Sequence, residues 1–206
     1  MTFSSEDIES LKLEIQTRLS NTRYLHTLGV AEAAEMLALF CAPELVSEAI
    51  VAALLHDVSK EYSYDEQLRI IKEYKICIDS EDKSTPAVLH SFTAPAVIKR
   101  DFGKFATDNV LSSVLYHTIG SPNMSVFDEI IFLADFIEDT RIYDSSALLR
   151  KYVFLNMQEG ETESNLKVLH KACIKSIDFT IAHLTKNKKH VNSKNILTRN
   201  ALLSKI

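Results

Sequence analysis

The 206 residues carry a net charge of −5, with 46% apolar and 25% charged side chains, enough chain for one buried core and too little positive charge to spread over nucleic acid. Four Gly, four Pro and three Cys exclude a turn-rich all-β fold and a disulfide scaffold, and no apolar run approaches the roughly 18 residues of a membrane span. The polar, acidic start Met1-Thr-Phe-Ser-Ser-Glu-Asp7 does not read as a leader, and the widely spaced Cys41, Cys77 and Cys173 read as buried, reduced thiols of a cytoplasmic protein.

In chain order, Ile8, Leu11, Leu13, Ile15 and Leu19 recur at helical spacing and predict a helix over 5–19, with Ser4 or Ser5 as its cap. A second helix, 22–41, turns His26 inward on the same broad face as Val30, Ala33 and Leu37. After Pro43, a helix over 44–57 ends in seven apolar residues followed by His56-Asp57. A carboxylate in that position either marks the surface or is held by a cation, because an unpaired buried charge is costly. Ser63 and Glu66 have capping-box spacing and open a helix to Tyr74, and 75–84 reads as a loop. Pro86 starts a helix that carries His90 and is kinked or redirected at Pro95.

A helix over 106–117 ends at His117-Thr118, and Gly120-Ser-Pro122 makes the turn. Ser125 and Asp128 cap the next, in which Ile130, Ile131, Leu133 and Ala134 lead to Asp135. Helices over 144–158 and 162–186 complete an all-α core. The last segment, 187–206, is a basic tail, mobile or packed on the surface; residues 186–206 hold six Lys and Arg and no acid. Its functional alternative is to close over a nucleotide or meet nucleic acid. No Gly-rich phosphate loop is present.

His26, His56, Asp57, His90, His117 and Asp135 each sit on or beside an apolar helical face, where an unpartnered polar group is unfavourable. Together they offer four imidazoles and two carboxylates, enough for two metal ions if Asp57 bridges. Mixed nitrogen and oxygen donors suit iron, manganese, cobalt or zinc better than calcium or magnesium. Lys60 and Arg141 could reach phosphate, or stand as solvated charges or surface ion pairs; Arg23 could brace Asp135 or another carboxylate, or be exposed; Thr118 could orient a phosphate or a bridging water, or cap a turn. His170, His183 and His190 read as structural or surface residues.

The order His26, His56-Asp57, Asp135 resembles the HD superfamily of metal-dependent phosphohydrolases. Arg23-Tyr-Leu-His26-Thr-Leu-Gly-Val30, Ala53-Leu-Leu-His-Asp-Val-Ser-Lys60, Leu89-His90, His117-Thr-Ile-Gly120 with Met124, and Ala134-Asp-Phe-Ile-Glu138 with Arg141 are similar to its YqeK-type bis(5'-nucleosyl)-tetraphosphatases (symmetrical). The resemblance implies an all-α HD-domain helical bundle over 1–186, motifs at 23–141, with the C-terminal segment as extension. It implies a two-metal centre, di-iron by preference: His26, His56, Asp57 and Asp135 on one ion, His90, His117 and a shared Asp57 on the other.

Ions about 3.5–4 Å apart lower the pKa of a shared water, and the resulting hydroxide would split diadenosine tetraphosphate or a related dinucleoside polyphosphate at its centre. Asp57, Lys60 and Arg141 would be catalytic, with Lys60, Thr118, Arg141 and Arg23 on the substrate. Two positions depart from the pattern, Ser91 where Gly is expected and Asp139 where Pro is expected, and they bear on substrate fit. Hydrolysis of another nucleotide, or a non-catalytic nucleotide sensor, are the rival readings. No membrane partner is expected, and the pattern leaves a homodimer open.

Overall fold

A computed structural model describes residues 2–206, and among them the chain is helical with no strand. The helices are α1 (Ser5–Arg18), α2 (Asn21–Cys41), α3 (Val46–Leu55), α4 (Tyr64–Glu73), α5 (Ser80–Lys83), α6 (Leu89–Asp101), α7 (Asp108–Tyr116), α8 (Val126–Ile137), α9 (Asp144–Asn156), α10 (Thr162–Lys186) and α11 (Ser193–Leu203). The caps follow side-chain chemistry. Ser4, Ser63 and Ser125 each accept a bond from the third helical N–H, while Asp7, Glu66 and Asp128 reach back to the cap backbone.

α3 is the centre of the bundle. Residues 51–55 are completely buried, as expected for a helix that is apolar all round. α2, α7 and α8 pack against it, with α10 across α8. Each fully buried Leu or Ile contributes about 1.5–3 kcal/mol, and this apolar support holds the polar end of α3 inside the protein. His56 and Asp57 follow α3 in a turn closed by Val58 N–H on Leu55 O and Lys60 N–H on Asp57 O.

Three local expectations are revised. The loop at 75–84 contains α5, because the Asp79 carboxylate accepts Asp82 N–H and Asp79 N–H donates back to Asp82 Oδ2. α6 continues through Pro95. Cys77 is exposed, whereas Cys41 and Cys173 are buried thiols; burial pushes Cys41 up to about 12.

The basic C-terminal segment is packed on the surface from Ser193 onward, while Lys186, Lys188 and Lys189 stand exposed. Lys194 pairs with Asp79 and Asp82 at 2.6 Å, Arg199 pairs with Asp178, and Lys205 pairs with Glu129 at 2.7 Å. α11 seats on the loop after α7: Asn195 Nδ2 donates to Ile119 O at 3.2 Å, and Lys205 Nζ to Met124 O at 2.8 Å. Gly120, at φ +73°, lets this loop pass beneath Thr198, whose methyl would lie 2.5 Å from any added Cβ.

Candidate metal centre

The six candidate ligands arrive from five segments. α2 supplies His26 from its second turn, the turn after α3 supplies His56 and Asp57, α6 supplies His90, the end of α7 supplies His117 and α8 supplies Asp135. His56, Asp57, His90 and His117 are at most 3% exposed.

Hydrogen bonds fix the ring orientations. Nδ1–H of His56 donates to Ala53 O and that of His117 to Val114 O, both at 2.6 Å. Nδ1–H of His26 donates to Glu138 Oε1 at 3.1 Å. In all three rings Nε2 faces the centre; His56 and His117 are held in the tautomer a metal requires, and His26 offers the same lone pair once its Nε2 proton is displaced.

The two oxygens of Asp57 face different donors. Oδ2 lies 3.8 Å from His26 Nε2 and 3.4 Å from His56 Nε2, while Asp135 Oδ1 is 3.1 Å and 4.0 Å from the same two nitrogens. Oδ1 lies 3.2 Å from His90 Nε2 and 3.6 Å from His117 Nε2, and those two nitrogens are 3.0 Å apart.

Donors bound at about 2.1 Å to one tetrahedral or octahedral ion stand about 3.0–3.4 Å from one another. In three groups the donor atoms all lie within 4.8 Å of one another: His26, His56 and Asp57; His56, His117 and Asp135; and Asp57, His90 and His117. Among the described residues, His26 Nε2, His56 Nε2 and Asp57 Oδ1 are buried without a hydrogen-bond partner. Orphaned atoms of this kind are costly unless a cation meets them, so the residues present fit divalent metal.

The electrostatics point the same way. Burial opposes charge on His26, yet the neighbouring carboxylates of Asp135 and Glu138 hold it up to about 9. Burial pushes His90 down to about 4 against the pull of Asp57, leaving a neutral ring. Asp57 and Asp135 stay well below the usual carboxylate range despite burial, Asp57 through His56 and its neighbouring rings, Asp135 through Arg141 and His26.

The candidate substrate contacts surround this cluster. Arg23 Nη1 donates to Asp57 Oδ2 at 2.8 Å, so it braces Asp57 and not Asp135. Arg141 Nη2 donates to Asp135 Oδ1 at 2.6 Å. Lys60 Nζ is 3.1 Å from His90 Nε2, and Thr118 Oγ1 is 3.1 Å from Nε2 of both His90 and His117. Ser91 is fully buried and donates to Val88 O at 2.8 Å, while Asp139 is exposed and paired with Arg150. His170 is held by Glu129 and His190 by Glu81; His183 lies at the edge of the cleft.

Glu138 was not among the sequence candidates, although it lies inside a quoted motif. It is 1% exposed, accepts from His26, and accepts Thr140 N–H at 2.6 Å and Thr140 Oγ1–H at 2.8 Å. Arg150 ties down the same loop through Ile137 O at 2.5 Å and Glu138 O. Glu138 also explains Gly29, where an added Cβ would meet its Oε2 at 2.6 Å. We expect Gly29→Ala to displace Glu138, weaken metal affinity about 10–100-fold and cost about 1–3 kcal/mol of stability. Metal titration and urea denaturation check both; unchanged affinity removes Glu138 from the support of His26.

Residues 23–139 match the HD domain family. A "Bis(5'-nucleosyl)-tetraphosphatase, symmetrical" of Bacillus subtilis (strain 168) is 30% identical over 191 residues, covering 92% of this chain and 94% of that protein. One of the same name from Halalkalibacterium halodurans is 30% identical over 190 residues, covering 92% of this chain and 93% of its own. A crystal structure from Clostridium acetobutylicum, described as a predicted HD superfamily hydrolase involved in NAD metabolism, superposes with a TM-score of 0.81 at 27% identity and covers 100% of both chains.

Proposed function

This chain belongs to the HD domain family, and from that membership we propose that it is a two-metal phosphohydrolase that splits diadenosine tetraphosphate, or a related dinucleoside polyphosphate, into two nucleoside diphosphates. The observation that carries the reading is Asp57, whose two oxygens face two separate sets of imidazoles. The names of the Bacillus and Halalkalibacterium relatives supply the substrate class. His26, His56, Asp57 and Asp135 would hold one ion and His90, His117 and Asp57 the other, with iron favoured by the family resemblance. Such a pair supplies a water of lowered pKa and positive charge against phosphoryl oxygens.

The remaining steps fall to the chain's own cations. Arg23 and Arg141 each spend one nitrogen on a ligand carboxylate and keep a buried Nε without a partner. Each guanidinium is thereby fixed in direction with N–H groups left for phosphate oxygens. Lys60, its charge disfavoured by burial and favoured by Asp57 and Asp135, lines the same cavity as Arg23 and Arg141 and neutralises the departing diphosphate. Thr118 Oγ1, beside both His90 and His117, orients the phosphoryl group under attack.

The test is product analysis with metal-loaded protein and diadenosine tetraphosphate. ADP as the sole nucleotide product is expected; AMP with ATP would mean asymmetric attack and overturn the reading. A second reading, hydrolysis of another nucleotide, draws on the description of the Clostridium protein. A panel of NAD, nucleoside triphosphates and cyclic nucleotides, each cut faster than diadenosine tetraphosphate or not, decides between them.

A further inference from the structure

The cleft around the centre is three cavities that meet at one side chain, Arg141. The first, about 320 Å³, lies beside His117 and Asp135 and is walled by Ile119, Phe132 and Phe136, with Asn195 contributed by α11. The second, about 470 Å³, brings the cations Arg23 and Lys60 together with His26 and Thr140, beside Ile142 and Tyr143. The third, about 270 Å³, contains Phe136, Tyr143, Phe179 and His183 and none of the candidate ligands.

These linings sort by chemistry. The second cavity offers the charge of Arg23 and Lys60 and the hydroxyl of Thr140 to phosphate. The first and third, which adjoin each other through Phe136, Thr180 and Leu184, offer aromatic faces with hydrogen-bonding groups at their edges, which is what a nucleobase and ribose need. Tyr143 joins the third cavity to the second, and Lys60 the second to the first. In the third cavity, Phe136 and Phe179 lie nearly parallel, with centroids 6.4 Å apart and planes at 11°. Beside them Tyr143 is 64% exposed, an aromatic face left to solvent at the mouth of the cleft.

We propose that the cavity of Phe136, Tyr143, Phe179 and His183 seats the second nucleoside of a dinucleoside polyphosphate, a proposal that rests on the substrate class argued above. The first nucleoside occupies the cavity beside His117, and the phosphates turn about Arg141 between them. A substrate with a nucleoside at each end requires two such seats on one phosphate channel. Central cleavage then leaves one nucleoside diphosphate in each seat.

Equilibrium titration of the full-length protein with ADP tests this without turnover. The wild type is expected to bind two equivalents per chain. Phe179→Ala, and separately His183→Ala at an exposed position that packing does not require, should retain one and weaken the other at least about tenfold, with KM for diadenosine tetraphosphate rising about tenfold. One equivalent in the wild type, or two undiminished in both variants, overturns the seat. Two equivalents with the expected loss, but no cleavage of diadenosine tetraphosphate, overturns the reaction proposed above and supports the seat.

Discussion

Asp57→Ala is expected to lower turnover at least about 1000-fold and to leave less than one metal ion per chain by elemental analysis. The carboxylate is 3% exposed and stands between His26 and His56 on one side and His90 and His117 on the other. Asp135 also comes near His56 and His117, but among the described carboxylates Asp57 alone lies within 4 Å of all four rings, and removing it takes a donor from each proposed ion while leaving four imidazoles facing one another. The helices should survive, because Arg23, the group left without its carboxylate, is partly exposed and can turn to water. Circular dichroism, run beside the metal and activity assays, separates a lost centre from a lost fold. Wild-type activity, or a full complement of metal, would remove Asp57 from the mechanism.

Chelation is expected to lower the midpoint of thermal unfolding by about 8–16 °C while leaving helical content below the transition unchanged. The reasoning starts from the orphaned atoms: His26 Nε2, His56 Nε2 and Asp57 Oδ1 are buried and unpartnered. A cation that satisfies them binds the folded chain and not the unfolded one. Present at about 1000 times its dissociation constant, it adds about 4 kcal/mol, and each kcal/mol moves the midpoint of a chain of this size by about 2–4 °C. Readdition of metal should restore the midpoint together with activity. A chelated, metal-free protein with an unmoved midpoint would show that the centre is satisfied without an ion.

The helices were legible because their signals are local. Ser63 with Glu66 and Ser125 with Asp128 announce caps within four residues, and apolar spacing fixes the inward faces of α2, α8 and α10. The six polar residues on apolar faces were legible for the same reason, since a His or Asp interrupting such a face needs a partner. What escaped depends on residues far apart in the chain. Glu138 follows the last apolar turn of α8 and looks like a solvated helix end until His26, 112 positions away, is seen to donate to it. The basic tail looks like free charge until Asp82, Asp178 and Glu129 are found opposite Lys194, Arg199 and Lys205. Charge pairing across helices leaves no period in the sequence. Arg23 shows the boundary: its bracing role was readable, but its partner, Asp57 34 residues on, was not.

The seating of α11 on the loop between Ile119 and Met124 has a consequence for how the protein comes into being. A chain emerging from the ribosome delivers every imidazole and carboxylate of the cluster before the segment that clamps the loop following His117. The loop behind His117 is therefore clamped by contacts 76 and 81 positions away in the chain, which form only once α11 has folded back onto it.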